Sequence, residues 1–287
     1  MLKTKFFNIL RIWTRIPLVE NLLSKLTQGK PTKNFISKIP LNYTEYKHPS
    51  ERKVTRGGIK YELDISDCME WTVYFGIETE PRKQLYDLIR EGDYIFDVGT
   101  NIGEVAMQLA KRTGMNGKVY AFEPDPEIYQ RLSCNLSLNE FKNLKAHQLG
   151  FGNKNETVFM SPEVQNNSGG NRIVATQKGS VGVAIQKLDD FVQNNDIKKL
   201  DLLKIDVEGY EINVLKGATN TIEKFRPRLF VEVSDRNLKQ QGGSARELLE
   251  RLAYFYTTLS RAEDGTKINM GSNFEGCFFD VIATYEG

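Results

Sequence analysis

Lys204, Asp206 and Glu208 alternate with Ile205 and Val207 in a short run that closes on Gly209. Alternate residues of a strand share one face, so the amine and both carboxylates are expected to stand together at a strand end. That combination suits removal of a proton from a weakly acidic hydroxyl. A carboxylate or a neutralised lysine acts as general base, and a divalent ion lowers the pKa of a bound hydroxyl. Lys204, Asp206 and Glu208 are therefore the candidate catalytic set. Asp206 and Glu208, with Glu232 near the end of the following strand, form an oxygen-only donor set of the kind that Mg²⁺ or Mn²⁺ accepts. The same residues also read as a structural ion pair with a helix cap.

A second cluster lies upstream, in Asp93-Tyr-Ile-Phe-Asp-Val-Gly-Thr-Asn-Ile-Gly103. A buried strand runs into a glycine-containing turn, and a helix follows. Gly99 permits a backbone conformation closed to other residues and lets a ligand approach the main chain. Gly103 allows close packing at the helix start, and Asn101 lies between them. One βα unit later Glu123 ends a strand, followed by Pro124. A carboxylate there can accept hydrogen bonds from both hydroxyls of a ribose. The loop departs from the Gly-x-Gly-x-x-Gly fingerprint that cradles a pyrophosphate. Asp97 would repel a pyrophosphate but suits a cationic ligand end. S-adenosylmethionine carries an amine, a sulfonium and a ribose but no phosphate, so it is favoured over NAD. Asp206 is counted beside this cofactor as well as beside the acceptor.

These residues need a parallel sheet whose carboxyl edge gathers them. From residue 61 short β-rich runs alternate with helical stretches, the pattern of an α/β fold. Strands are expected at 94–98, 118–122, 144–149, 200–205 and 228–233, and helices at 80–90, 103–112, 125–138, 210–225 and 245–254. Residues 156–187 read as a β-hairpin insertion. The tail, 277–284, reads as an antiparallel closing strand. Of the two histidines, His147 sits on an expected strand and neither lies in a Ser/His/Asp or Cys/His motif.

Four stretches resemble the FkbM-type S-adenosylmethionine-dependent methyltransferases: Phe96-Asp-Val-Gly-Thr-Asn-Ile-Gly103, Val119-Tyr-Ala-Phe-Glu-Pro-Asp125, Leu203-Lys-Ile-Asp-Val-Glu-Gly-Tyr-Glu211 with Val214-Leu-Lys-Gly-Ala218, and Pro227-Arg-Leu-Phe-Val-Glu-Val233. The third is the most distinctive, and Thr100 stands where the family usually has Ala. The resemblance implies a class I methyltransferase (Rossmann-like) fold, with a mostly parallel sheet and an antiparallel last strand. It implies methyl transfer to a hydroxyl of a glycan, or of a small secondary metabolite. It also suggests that the region of Glu78 reaches the cofactor and that Phe151, after the third strand, stacks on its adenine. A non-catalytic S-adenosylmethionine-binding protein is the reading from another class.

The resemblance stops short of the N-terminus, where charge is unevenly placed. The first 60 residues hold thirteen basic and three acidic side chains, while the whole chain of 287 carries only +2. A basic front therefore precedes an acidic body, which argues against a general nucleic-acid binder. Leu2, Phe6, Ile9, Trp13 and Ile16 mark one face of a short helix ending before Pro17. Residues 1–30 are thus a candidate for peripheral contact with an anionic membrane. Residues 29–60 read as linker, which gives a division into a basic extension, 1–60, and a methyltransferase domain, 61–287. No apolar run reaches transmembrane length. Three widely spaced cysteines suit a reducing, cytoplasmic setting.

Overall fold

The computed structural model describes residues 14, 16–78, 82–162, 167–174 and 179–285. The chain divides into two units, residues 1–80 with 164–169, and residues 81–163 with 170–287. The amphipathic segment expected over residues 2–16 falls almost wholly outside the described residues.

In the first unit, α1 (Pro17–Thr27) begins at the proline expected to end a helix. Proline is favoured in a first turn, where its missing N–H costs nothing. β1 (Lys30–Pro31) follows, and then β2 (Glu51–Arg56) and β3 (Ile59–Asp64) form an antiparallel hairpin. Gly57 and Gly58, both with positive φ, make its turn. The expected linker is therefore partly ordered, and the expected domain boundary at 60/61 falls within this hairpin. α2 (Cys68–Phe75) is capped by the Asp67 carboxylate and stopped by left-handed Gly76. β4 (Ile77–Glu78) pairs with β1. Glu20 of α1 is buried against Arg52 of β2 at 2.6 Å and accepts from the Tyr74 hydroxyl, fastening these elements together.

The second unit alternates strand and helix. It opens with α3 (Arg82–Asp87), β5 (Tyr94–Val98), α4 (Glu104–Thr113), β6 (Lys118–Phe122), α5 (Pro126–Ser137) and β7 (Leu144–His147). Next come β8 (Gly150–Phe151), β9 (Glu156–Pro162), β10 (Asn171–Val174) and β11 (Val181–Gln186), which pair as a separate four-stranded sheet. The expected insertion is thus a hairpin plus a third strand. After it run α6 (Leu188–Asn194), β12 (Leu202–Ile205), α7 (Glu211–Lys216), α8 (Thr219–Phe225), β13 (Arg228–Ser234), α9 (Asp235–Gln240), α10 (Ala245–Phe255), β14 (Thr258–Arg261) and β15 (Phe278–Thr284). The single helix expected over 210–225 is broken at Gly217–Ala218. A Cβ on Gly217 would lie 1.9 Å from the Gly152 carbonyl oxygen, so the chain turns there to pack.

The main sheet has the order β14-β15-β13-β12-β5-β6-β7, with β15 antiparallel to both neighbours and the remaining pairs parallel. This is the class I methyltransferase arrangement expected from the sequence. Its central strand β12 is buried at every position, as a strand covered on both faces must be. Phe96, Leu203, Ile212 and Leu248 belong to one apolar layer, and Ile95, Leu109, Val119 and Leu202 to another. Strand order reverses between β5 and β12. Open α/β sheets bind ligands at the carboxyl side of such a switch point.

Candidate active site

The loop after β5 is held by its neighbours' main chain. Gly99 and Thr100 donate to the Phe122 carbonyl at the end of β6, and Asn101 donates to Glu123 Oε2 at 3.0 Å. Glu123 Oε1 accepts from Asp125 N–H, also at 3.0 Å. Each Glu123 oxygen therefore keeps acceptor capacity beyond one fixed donor. Burial pushes this carboxyl up to about 7, against the opposing pull of those two N–H groups. Pro124 lies under Gly150, where an added Cβ would meet it at 3.3 Å.

The packing partners of the two glycines come from distant parts of the chain. Gly99 has φ +80, and a Cβ there would lie 1.7 Å from the Asp206 carbonyl oxygen. The loop after β5 thus rests on the main chain that leaves β12, with no room for a side chain between them. Gly103, at φ +86, yields its Cβ space to Leu132 of α5.

Strand register explains the charged cluster. Lys204 is the direct neighbour of Asp97 across the β12–β5 pair. Its ammonium sits 3.0 Å from Asp97 Oδ1 and 3.4 Å from Asp206 Oδ2, and donates to Gly99 O. Asp97 is fully buried and also accepts from Thr100 Oγ1. Two expectations change here. Asp97 is buried against Lys204 instead of standing open to a cationic ligand. Lys204, 5% exposed and held by two carboxylates, positions the site and is no free base.

Ile205 pairs with Val231, so the next residues, Asp206 and Glu232, lie side by side beyond the paired segment. Glu208 turns back in a left-handed conformation, φ 53. Its Oε2 accepts from Asn237 Nδ2 at 2.7 Å. Asp206, Glu208 and Glu232 each present an oxygen within 4.8 Å of the others. Burial, then the facing charges of Asp206 and Glu208, pushes the Glu232 carboxyl well above its ordinary range. Its Oε2 is closed to solvent and meets no hydrogen-bond donor. Asp206, by contrast, keeps about a third of its side chain exposed (35%).

Comparison with known proteins was made on this geometry. The profile of the Methyltransferase FkbM domain matches residues 97–256, more than half of the chain. The chain belongs to the FkbM methyltransferase family. It is 28% identical over 146 residues to the hexuronic acid methyltransferase AglP of Haloferax volcanii, covering 51% of this chain and 58% of that protein. It is 24% identical over 192 residues to the 2-O-methyltransferase NoeI of Sinorhizobium fredii, covering 60% and 76%. The crystal structure of an FkbM methyltransferase from Methylobacillus flagellatus superposes with a TM-score of 0.44 at 17% identity, over 74% of this chain and 52% of that one. The chain thus spans under two thirds of the first of these relatives.

Within this FkbM domain the expected site residues separate. Gly99, Asn101, Gly103, Glu123 and Pro124 share the loops after β5 and β6, and Asp206, Glu208 and Glu232 share those after β12 and β13. Phe151 leaves the set. It is 2% exposed, with its ring 4.7 Å from Phe122 and 5.7 Å from Phe191, so core packing occupies the ring expected to stack on adenine. Glu78 belongs to the first unit, where it is exposed. His147 packs among Phe122, Tyr120 and Phe191, and burial lowers it to about 4, which fits the structural role expected of it.

Sequence reasoning missed Asn237, Thr100 and Glu211. Asn237 sits at the third position of α9, whose cap is Ser234. That cap followed by a polar third position was the signal available. Glu211 binds the N–H groups of Val207 and Gly209 through Oε1 and so fixes the turn carrying Glu208. In the first unit His48, Ser66 and Asp64 do meet, unlike the expectation of no such arrangement. The buried Ser66 hydroxyl donates to Asp64 Oδ1 at 2.7 Å, and His48 Nδ1 faces both, which is not the relay a serine nucleophile needs.

Proposed function

We propose that this domain transfers the methyl group of S-adenosylmethionine to a hydroxyl of a sugar acceptor. The carrying observation is Asp206: an open carboxylate at the switch point, anchored through its N–H to Val98 O, beside two charges that are sealed. The acceptor oxygen attacks the methyl carbon, the carbon–sulfur bond breaks, and S-adenosylhomocysteine leaves as a neutral sulfide. The hydroxyl proton passes to Asp206. The sulfonium is a good leaving group, so alignment and proton removal are the protein's tasks. Glu123, with acceptor capacity left on both oxygens, suits the ribose hydroxyls, and Gly99 to Gly103 line the cofactor's path. A sugar acceptor is supported by the name of the hexuronic acid methyltransferase among the relatives.

The test is methylation of a panel of uronic acids, hexosides and small phenols, read by mass, with calorimetry for S-adenosylhomocysteine and NAD. A methylated sugar is expected. Asp206→Asn should keep the fold, read by circular dichroism, and lose turnover by about 100-fold or more. Methylation only of the phenols would move the acceptor to small metabolites. Tight S-adenosylhomocysteine binding with no turnover anywhere would make this a non-catalytic binder. Binding of NAD alone would end the assignment.

We also propose that α1 brings the enzyme to an anionic membrane surface. Leu18, Leu22 and Leu26 of α1 recur every fourth residue as one stripe and are 83%, 57% and 47% exposed. Lys25, Lys30, Lys33 and Lys38 are exposed around it, while the single acid of α1, Glu20, is buried on Arg52. An apolar stripe with a cationic border suits shallow insertion among acidic headgroups. No described helix is long and apolar enough to cross a bilayer. The chain should sediment with phosphatidylglycerol vesicles and not with phosphatidylcholine vesicles, and Leu18→Ser with Leu22→Ser should abolish the difference. Equal sedimentation of that variant would remove the stripe from the argument.

A further inference from the structure

Three carboxylates converge at the ends of β12 and β13, and methyl transfer alone needs only one of them. Asp206 suffices as a base. Glu208 is aimed by Asn237, and Glu232 points a solvent-sealed oxygen at no donor. Leaving a buried polar oxygen without a partner costs about 1–3 kcal/mol, and more when it is charged. Structures keep such groups where something else supplies the partner.

We propose that Asp206, Glu208 and Glu232 bind a divalent cation, Mg²⁺ or Mn²⁺, which receives the acceptor through two adjacent oxygens. The proposal rests on the acceptor reading above and deepens it.

The donor set is all oxygen, which hard cations require, and imidazole and thiolate, which would favour zinc, are missing from it. The three oxygens lie within 4.8 Å of one another, no farther apart than ligands of one cation with bonds of about 2.4 Å can be. The ligands come from two neighbouring strands whose register is fixed by the Ile205–Val231 pair. The hydrogen bond from Asn237 to Glu208 Oε2 holds that carboxylate in place, the outer support that metal ligands commonly have. The Lys204 ammonium lies closer to Asp97 than to Asp206.

Three protein ligands leave about three of six octahedral positions open. Two suit a vicinal diol or a hydroxyl beside a carboxylate, an arrangement found in hexuronic acids. A bound hydroxyl loses its proton more readily. The proton moves to the second oxygen of Asp206, and the acceptor oxygen takes the methyl carbon as the carbon–sulfur bond breaks. The cation is neither oxidised nor reduced.

The experiment uses the full chain, stripped with EDTA and saturated with S-adenosylhomocysteine. Mn²⁺ is titrated in and the free ion followed by electron paramagnetic resonance. One Mn²⁺ per chain is expected, displaced by excess Mg²⁺, with affinity reduced at least tenfold in Glu232→Gln and again in Asp206→Asn. Glu232→Gln should bind S-adenosylhomocysteine as the parent does, and both variants should keep the parent's circular dichroism, which shows that they are folded. No stoichiometric Mn²⁺, or equal affinity in Glu232→Gln, overturns the proposal. Turnover on a sugar that survives EDTA undiminished also overturns it while leaving the methyltransferase reading intact. Mn²⁺ binding with no methylation of any hydroxyl supports the cation site and removes the function instead.

Discussion

The two sides of the switch point are built from similar residues and left in opposite states. After β5 and β6 the acidic groups are satisfied: Asp97 by Lys204 and Thr100, and Glu123 by two backbone N–H groups. After β12 and β13 one carboxylate is open to solvent, one is held by Asn237, and one buried oxygen has no donor. The first side is a finished cradle whose shape is set by main chain. The second is held together while its charges still repel. A ligand met by the first side finds a site already formed, whereas the second needs its occupant to relieve it. This is how a domain can fix one shared cofactor while its acceptor varies.

The contrast can be broken hardest at the point where the sides touch. Gly99→Ala drives a Cβ into the Asp206 carbonyl, so both sides must move. A loss of about 4 kcal/mol or more in denaturant unfolding is expected, together with loss of S-adenosylhomocysteine binding. Unchanged stability would mean that the loops are not in contact. Lys204→Met removes the partner of a fully buried carboxylate and should cost about 3 kcal/mol. A catalytic base would instead show lost turnover at full stability.

Glu123 tests the finished side by pH. Its folded value of about 7 lies above the ordinary 4.5, so the native state holds its proton more tightly. The stability it contributes is complete below pH 4.5 and is lost as pH rises through 7. Ribose hydroxyls donate to the ionised form, so S-adenosylhomocysteine should bind about tenfold more tightly at pH 8 than at pH 6. Glu123→Gln should flatten that profile, and a profile of unchanged slope would detach Glu123 from the ribose. The smallest effect belongs to Phe151→Leu. A core swap of this kind costs about 1 kcal/mol and should leave cofactor affinity untouched. A large drop in affinity would return Phe151 to the adenine.

Much of this was legible in the chain because it is local. The strand-to-glycine turn at 94–103, the alternation of Lys204, Asp206 and Glu208, and the β-rich character of 156–187 are nearest-neighbour patterns. Long-range choices were hidden. The ion pair of Asp97 with Lys204 depends on which strands become neighbours, and nothing in either stretch announces that register. Phe151 shows the same limit: an aromatic after a strand reads alike whether it faces a ligand or a core. Residues 29–60 read as linker although Gly57 and Gly58 join two paired strands, because β2 alternates charged and polar residues with little apolar content.

The insertion of β9, β10 and β11 carries a consequence for how this enzyme can change. Asn171 reaches Asp125, and Gln241 reaches the carbonyl of Ile173, so the hairpin is tied by side chains to loops that follow β6 and α9. The reacting groups, by contrast, are set by the pairing of β12 with β5 and β13. A graft that keeps those two tethers should therefore leave the register of β12 with its neighbours, and the carboxylate cluster it carries, unchanged. Inserting a single residue within β12 or β13 would have the opposite result, leaving the hairpin in place and scattering the reaction centre.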